Sequence, residues 1–207
     1  MVIDNKYVNN IRAIVREARQ AIDYTKSKND EMIKFLRKKL TDDLITDTVF
    51  KKDKAELEAR TTEIERAAIE EVNAEKDRYF KAVTVWETPC AERIVPDMQL
   101  LSGVVLLTKA ELIGLAEKHR ANPIMIRALK KYATENQIVD TTGNVDAHVD
   151  HHISALFPDG DAKRKAFDTV VQYAHGAISQ DWYAPTVLDD GNFAKIYNAN
   201  ALDGAPL

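Results

Sequence analysis

The first 88 residues contain neither glycine nor proline, and all seven glycines and all six prolines lie from Pro89 onward. At average usage about ten such residues would fall in a stretch of that length. Glycine and proline interrupt helices, so their absence predicts long, uninterrupted helices in the first half of the chain. The second half has ordinary composition and predicts a smaller domain.

Other absences exclude further classes of protein. The one cysteine, Cys90, cannot form a disulfide within the chain, which fits a reducing compartment. No apolar run reaches the roughly 18 residues that span a bilayer. The segment that starts at Met1 lacks the basic region and apolar core of a signal peptide. We therefore expect a cytosolic protein that is neither secreted nor inserted in a membrane.

Strong charge of one sign is also missing. Residues 1–84 hold 18 basic and 17 acidic side chains, residues 85–207 hold 11 and 16, and the whole chain carries −4. This balance lacks the basic bias of a general nucleic-acid binder. The sequence contains no P-loop, no GxGxxG, no GxSxG and no kinase signature. We expect no catalytic residues, no cofactor and no enzymatic activity.

An apolar stripe runs along the first predicted helix. It recurs with 4-4-3 spacing at Ile3, Tyr7, Ile11, Ile14, Ala18, Ile22, Ile33, Leu36, Leu40 and Leu44. An 11-residue repeat of this kind predicts a straight or slightly right-handed packing seam. Arg12, Arg16 and Arg19 lie off the stripe, as residues of a solvated face do.

Thr25 and Asn29 interrupt this stripe within the polar segment 25–30. The interruption is either a helix break with a capping residue or a polar layer inside one continuous helix that would fix its register. The phase of the stripe is the same on both sides, which favours the continuous helix.

Residues 41–48 are rich in Asp and Thr, which favour helix ends and turns. A second long helix is predicted from Asp53 to Val85. Its stripe is Leu57, Thr61, Ile64, Ala68, Val72, Glu75, Tyr79, Val83 and Trp86.

Two long helices joined by a short polar turn predict an antiparallel hairpin. One narrow seam for each helix is a small apolar supply for so much ordered chain. A partner is then needed to cover the seam: another copy, the C-terminal domain or a different protein. Of these we expect another copy, and so a homo-oligomer. The expected oligomer seam is Ile3, Tyr7, Ile11, Ile14, Ile22, Ile33, Leu36, Leu40, Leu57, Ile64 and Val72.

Two short helices are predicted over residues 108–135. Thr108 and Glu111 form a capping box, and Asn122-Pro123 supplies a cap and a first-turn proline for the next helix. A helix-turn-helix DNA reader has a similar arrangement. Arg120, Arg127, Lys130 and Lys131 would then contact nucleic acid or another partner. The turn lacks the glycine common in that motif, and packing against a core is the alternative interpretation.

Three of the five histidines lie close together, at His148, His151 and His152. Imidazoles three or four residues apart share a helix face and bind zinc or related metals when a further ligand is near. His175 is the one obvious distant histidine for that role. The spacing is not HExxH, and a polar helix start with solvated imidazoles is the alternative.

A last helix is predicted from Asp161 to Ser179, and the chain beyond Trp182 shows no periodic pattern. The predicted fold is mainly α, with little or no strand. Residues 1–88 form a long helical hairpin or coiled coil, 89–183 a small mainly helical domain, and 184–207 an extended tail that could anchor on a partner.

The segments 100–103, 107–118 and 122–129 resemble small proteins of tailed phages that infect low-GC Gram-positive bacteria. In those proteins, too, a long charged helical region precedes such a segment, and the likeness covers residues 50–137. The resemblance implies a phage setting and makes the helical half look like that of scaffolding or other assembly proteins.

The expected function is therefore that of a non-enzymatic phage assembly or virion structural protein in the bacterial cytoplasm or the virion. It would self-associate through its long helices and dock a phage or host protein through its C-terminal domain. One alternative is a phage regulator or inhibitor that binds a host protein or DNA through residues 108–135. Another is a small metal-dependent enzyme that uses the His148–His152 cluster.

Overall fold

The computed structural model describes residues 5–102, 106–139, 145 and 148–202. Ile3, expected in the seam, lies outside the described residues. The described chain is helical, and its one β-type pairing is an isolated bridge between Val139 and Val145. This confirms the predicted mainly-α fold.

The nine α-helices follow one another along the whole described chain. They are α1 (Lys6–Thr41), α2 (Asp47–Glu87), α3 (Lys109–Lys118), α4 (Pro123–Glu135), α5 (Val149–Leu156), α6 (Gly160–Ser179), α7 (Ala184–Leu188), α8 (Asp190–Ile196) and α9 (Ala199–Leu202). Three 3₁₀ segments, Ala91–Arg93, Pro96–Ser102 and Asp181–Tyr183, stand between them.

The chain divides into two compact units that are not the predicted halves. The first holds Lys6–Asp77 and Asp168–Ile196, and the second holds Arg78–Phe167 with the described residues of Val2–Asn5 and Tyr197–Leu207. Two of the divisions, at 77/78 and 167/168, fall inside helices, α2 and α6. The predicted boundary near residue 88 followed the first glycines and prolines, but helix interruptions and unit boundaries do not coincide in this chain.

In the first unit, α1 and α2 form the predicted antiparallel hairpin, and α1 is continuous through residues 25–30. Asn29 is buried there and its Nδ2 donates to the Leu57 carbonyl at 2.7 Å and to Thr61 Oγ1 at 3.4 Å. The polar interruption is therefore a hydrogen-bonded layer between the two helices, as the favoured interpretation expected.

Burial along α1 follows a seven-residue repeat rather than the predicted eleven. Every seventh position from Val8 to Leu36 is buried, at Val8, Val15, Ile22, Asn29 and Leu36. Tyr7 and Ile14, which the 4-4-3 spacing selected, are only half-buried. Apolar residues occupy adjacent positions at 7–8 and 14–15, so the sequence alone supports both spacings, and the packing of α1 against its neighbours selects the heptad.

The predicted stripe of α2 lies almost entirely in the interior. Leu57, Thr61, Ala68, Val72, Glu75, Tyr79 and Val83 are buried, and Ile64 and Trp86 are half-buried. The helix begins at Asp47, six residues before the predicted start. Thr46 Oγ1 accepts from the Val49 amide at 3.4 Å, so a threonine assigned to the turn caps the helix instead.

Arg12 and Arg19, expected on a solvated face, are among the least exposed side chains of α1. Arg12 donates to the carbonyls of Val187 and Leu188, at 2.9 and 3.1 Å. Arg19 donates to the Ile178 carbonyl at 3.2 Å and pairs with Asp23 and Asp181. These bonds fix the segment that follows α6 against α1.

Residues 184–207 were expected to form an extended tail, and this is wrong for the described part. They form α7, α8 and α9, whose buried side chains are Val187, Phe193, Ala201 and Leu202. Helices of four to seven residues are too short to show a helical period in sequence, and tertiary contacts stabilise them instead. The Arg12 guanidinium lies 4.6 Å from the Phe193 ring centroid.

The second unit is built around α3, α4 and α5. Its core is Leu107, Leu112, Ala116, Met125, Ile126, Leu129, Tyr132, Ile138, Val149 and Ile153. Tyr132 Oη accepts from the Leu107 amide at 3.1 Å, which holds the segment before α3 on this core. Tyr79 and Phe167 stack in the same unit with ring centroids 4.0 Å apart.

Candidate partner-binding surfaces

A cleft opens in the second unit where the end of α2, the α3–α4 turn and the α5–α6 connection meet. We call it the Trp86 cleft, and its deep part has a volume of about 190 Å³. It is lined by Trp86, Glu87, Arg120, Pro123, Ile126, Arg127, Lys130, Phe157, Pro158, Asp159 and Asp161. A shallower continuation shares Trp86, Arg120, Phe157 and Pro158 and extends to Lys163 and Ala199.

The α3–α4 corner is positioned by the caps that the sequence predicted. Thr108 and Glu111 form the complete capping box at the start of α3. The hydrogen bonds from the Thr108 backbone amide and hydroxyl to the Glu111 carboxylate hold the pKa of Glu111 below its usual value. This box sets the start of the helix that ends just before Arg120.

Asn122 fixes the start of α4 and its approach to the cleft. Its Oδ1 accepts from the amides of Ile124 and Met125, at 3.1 and 3.2 Å. Its Nδ2 donates to the Arg93 carbonyl at 2.7 Å. One side chain therefore caps α4 and ties the turn to the connector that precedes it.

A small ionic cluster supports the end of α3. Asp97 accepts from His119 Nε2 at 2.8 Å and from Lys118 Nζ at 2.7 Å. These hydrogen bonds, that of His119 first, lower the pKa of the Asp97 carboxyl group. The cluster anchors the residues directly before Arg120.

Glu87 lies in the wall of the Trp86 cleft, and its carboxylate already accepts hydrogen bonds from neighbouring residues. It accepts from the Gly160 amide at 2.9 Å and from Arg164 at 2.8 Å. Arg127 approaches the same carboxylate only to 3.9 Å. A Cβ atom at position 160 would overlap the Glu87 carboxyl group, so glycine permits this close approach.

The Asp159 carboxylate also has hydrogen-bond and ion-pair partners of its own. Its Oδ1 accepts from the Ala162 amide at 3.0 Å and its Oδ2 pairs with Lys130 at 3.4 Å. Partial burial disfavours its charge, but the Ala162 bond and Lys130 outweigh that effect and the pKa of Asp159 is lowered. Asp161, the third acidic residue of the deep lining, pairs with Arg164 at 3.1 Å.

The cleft consequently offers unneutralised positive charge beside apolar surface. Within the described chain, no group accepts a hydrogen bond from the Arg120 guanidinium or forms an ion pair with it. The Arg127 side chain is 60% exposed, and its one ion pair with a described residue is the long contact with Glu87. Trp86, Phe157 and Pro158 supply apolar walls of the same cleft.

Three of the four basic residues predicted for binding meet at this cleft: Arg120, Arg127 and Lys130. Lys131 does not, because its exposed side chain pairs with Glu135 at 3.8 Å along α4. Trp86, Phe157 and Pro158 were missed as binding residues. They are far apart in sequence, and no local pattern indicates that they share a cleft.

The histidine cluster is exposed at the start of α5. His148, His151 and His152 all lie at the surface, with the rings of His148 and His151 5.9 Å apart. In the part of the chain that the structure describes, no group of three or more His, Cys, Asp or Glu side chains is placed to hold a metal ion.

A second candidate surface lies on the hairpin of the first unit. Tyr24, Met32, Phe35 and Val49 are 67%, 46%, 51% and 41% exposed. On α1 the residues 24, 28, 32, 35 and 39 follow 4-4-3-4 spacing and share one face. We call this surface the Tyr24 face.

A groove fixes which side of α2 belongs to the Tyr24 face. It joins Tyr24 and Lys28 of α1 to Arg60, Glu63 and Ala67 of α2. Positions 49, 53, 56, 60, 63 and 67 follow helical spacing, so Val49 lies on the same face of α2 as Arg60, Glu63 and Ala67. The groove on the opposite side is lined by Lys26, Asp30, Ile33, Glu58, Thr61 and Thr62 and is more polar. The Tyr24 stripe was visible in the sequence but was overlooked beside the stronger seam.

Comparison with known proteins identifies no relative. No family model matches the chain, and neither the curated proteins nor the solved structures include a match. Among the described residues, every helix is too short or too polar to cross a membrane.

Proposed function

We propose that this chain is a non-enzymatic assembly or virion structural protein of a tailed phage. It self-associates through its long helices and docks a phage or host protein through its C-terminal helical part. It acts in the cytoplasm of the bacterial host or in the virion. The phage setting rests on the resemblance of residues 50–137, and the binding role rests on the two surfaces described above.

The observation that carries the proposal is the Tyr24 face. Large apolar side chains that cluster on one surface are typical of protein interfaces, whereas scattered ones are ordinary. Tyr24, Met32 and Phe35 follow helical spacing along α1, and Val49 lies on the same side of the hairpin. An extended hairpin with such a face is suited to assembly with other proteins.

The residues expected in the oligomer seam have a different role in the single chain. Ile11, Ile22, Leu36, Leu57 and Val72 are already buried, and Tyr7, Ile14, Ile33, Leu40 and Ile64 are half-buried. Replacing Ile11 by Asp would therefore unfold the hairpin whether or not the protein is an oligomer. A test of self-association has to use exposed residues instead.

The Trp86 cleft is the surface proposed for docking. Its apolar walls and the guanidinium groups of Arg120 and Arg127 suit a partner segment that carries both an apolar side chain and a carboxylate. Docking of this kind requires neither the backbone hydrogen bonds of an added β-strand nor a catalytic geometry.

Light scattering coupled to size exclusion, over a wide concentration range, tests self-association. We expect a stable dimer or larger species of the full chain. Immunoblotting of purified procapsids and virions tests the assembly role, and we expect the chain to be present in one of them. A monomer at every concentration would contradict the first part, and absence from both particles the second.

A second candidate is a phage regulator that binds a host protein or DNA through residues 108–135. The convergence of Arg120, Arg127 and Lys130 favours it, because these residues were selected for that role from the sequence. If the partner is DNA, the affinity should fall steeply as the salt concentration rises. Reversing the charge at position 127, by Arg127→Glu, should reduce that salt dependence.

A further inference from the structure

The Tyr24 face is self-complementary, and its charges specify how two copies would meet. Residues 24–41 of α1 hold six basic and two acidic side chains, a net charge of +4. The facing part of α2, residues 47–64, holds four basic and five acidic side chains, a net charge of −1. One arm of the hairpin is therefore strongly basic and the other slightly acidic.

Two hairpins that pack face to face about a twofold axis have two ways to do so. An axis parallel to the helices places α1 of each copy over α2 of the other, with both interhelical turns at the same end. An axis across the helices places α1 over α1 and α2 over α2, with the turns at opposite ends. Only the first arrangement avoids placing residues 24–41 of one copy, with their net charge of +4, against the same residues of the other.

The side chains on the Tyr24 face agree with the first arrangement. On α1 the face carries Lys28 and Lys39, and on α2 it carries Asp53, Glu56, Arg60 and Glu63 by helical spacing, a net charge of −2. Lys28 already forms an ion pair with Glu31 at 2.9 Å, and the Lys39 Nζ atom lies 4.6 Å from the Phe35 ring centroid. Placing α1 over α2 of the second copy sets these cations near carboxylates.

The apolar residues supply the contact that charge alone cannot. Phe35 and Met32 project from the middle of the face, and Tyr24 stands beside the groove that Ile64 and Ala67 line on α2. A second copy would cover these side chains with its own and so complete a four-helix bundle, in which every neighbouring pair of helices is antiparallel.

We infer that the Tyr24 face binds a second copy of this chain, in a twofold dimer that places α1 of each copy over α2 of the other and both turns at the same end. This inference rests on the self-association in the proposed function and adds its surface and its geometry.

The first experiment compares Phe35→Glu with Thr62→Glu, which places the same charge on the opposite, polar side of the hairpin. Phe35 is half exposed, so both variants should keep the helical circular dichroism of the wild type. Light scattering should show that Phe35→Glu loses the dimer while Thr62→Glu keeps it. A Phe35→Glu variant that stays dimeric would overturn the inference and leave the proposed function intact.

The second experiment tests the axis. Leu44, in the turn, is 68% exposed and is replaced by cysteine in a Cys90→Ser background, because Cys90 is also exposed. Packed helices lie about 8–10 Å apart, so a short bismaleimide should link the two turns into a covalent dimer. With the turns at opposite ends they would be at least about 27 Å apart, given the 1.5 Å rise of residues 24–41.

The three outcomes are distinct. A dimer that cross-links at position 44 supports the inference. A dimer that does not cross-link at position 44 contradicts the inferred direction of the twofold axis but still supports self-association. A wild-type monomer removes both the inference and the self-association on which it rests.

Discussion

Arg12 holds the Asp190 carboxylate at 2.6 Å, and the same guanidinium donates to two main-chain carbonyls at the end of α7. The Arg12 side chain is 12% exposed, while that of Asp190 is 68% exposed. The Arg12 guanidinium thus forms two hydrogen bonds to carbonyls, the ion pair and the contact with the Phe193 ring, and Asp190 takes part only in the ion pair among these. This asymmetry predicts unequal effects when either residue is changed.

We expect Arg12→Met to destabilise the protein by about 2 kcal/mol or more, because it removes charged hydrogen bonds to the Val187 and Leu188 carbonyls. Asp190→Asn should cost clearly less, since an exposed ion pair contributes little. Chemical denaturation of both variants, beside the wild type, measures the difference. Equal losses would mean that the Asp190 ion pair, and not the carbonyl bonds, holds this segment.

The end of α1 offers a stabilising substitution. Asp43 has a φ angle of 56°, in the left-handed region. Its amide bonds the Leu40 carbonyl at 3.2 Å and the next amide bonds the Lys39 carbonyl at 2.8 Å, which is the Schellman pattern. We expect Asp43→Gly to stabilise the protein by up to about 1 kcal/mol, since glycine adopts this conformation without strain.

Asp43→Ala is the matched control, because it removes the same carboxylate but keeps the Cβ atom. Thermal unfolding should show a gain for glycine and none for alanine. An equal gain for both would assign the effect to the lost charge rather than to the backbone.

Local signals in the sequence were reliable where one residue determines one feature. The Thr108 capping box, the Asn122 cap and the apolar stripe of α2 all appear as predicted. Each depends on spacing within a single helix, and a short window of sequence contains all that it requires. The continuity of α1 through Asn29 is of the same kind.

The failures have a common physical cause. Val8 and Val15 compete with Tyr7 and Ile14 for burial, and only the packing of α1 against its neighbours decides between them. The helices after Trp182 depend on contacts such as that of Phe193 with Arg12, from the far end of the chain. The Trp86 cleft likewise joins residues from three separate segments. None of these outcomes is contained in a local window.

His175 should make stability depend on pH. Its Nε2 atom is buried with no hydrogen-bond partner among the described residues. Burial, and then the nearby Lys76, lower the pKa of His175 from its usual 6.5. His175 therefore binds a proton more readily in the unfolded chain than in the folded one. Its contribution to stability is fully present above about pH 6.5 and is lost as the pH falls through the lower pKa of the folded state.

We expect a titration by proton NMR to place the pKa of His175 below its usual value of 6.5. The stability of His175→Gln should fall less between neutral and mildly acidic pH than that of the wild type. An upward shift for His175 in the titration would contradict this account.

Gly160 and Glu87 should show strong coupling in a double-mutant cycle. The Glu87 carboxylate accepts from the Gly160 amide at 2.9 Å, and an added Cβ would overlap that carboxyl group. We expect Gly160→Ala to cost about 1–3 kcal/mol, as overpacking does. In a Glu87→Ala background the same change should be neutral or slightly stabilising, because alanine is the better helix former.

The difference between those two costs is the coupling free energy, and denaturant unfolding of the four proteins measures it. Glu87 also bonds Arg164 at 2.8 Å, so Arg164→Met in the Gly160→Ala protein is a useful further variant. If the carboxylate is held mainly by Arg164, releasing it should let Glu87 move and reduce the cost of Gly160→Ala. A cost that is the same in every background would show that the strain lies in the α6 backbone and that the Glu87 contact does not restrict position 160.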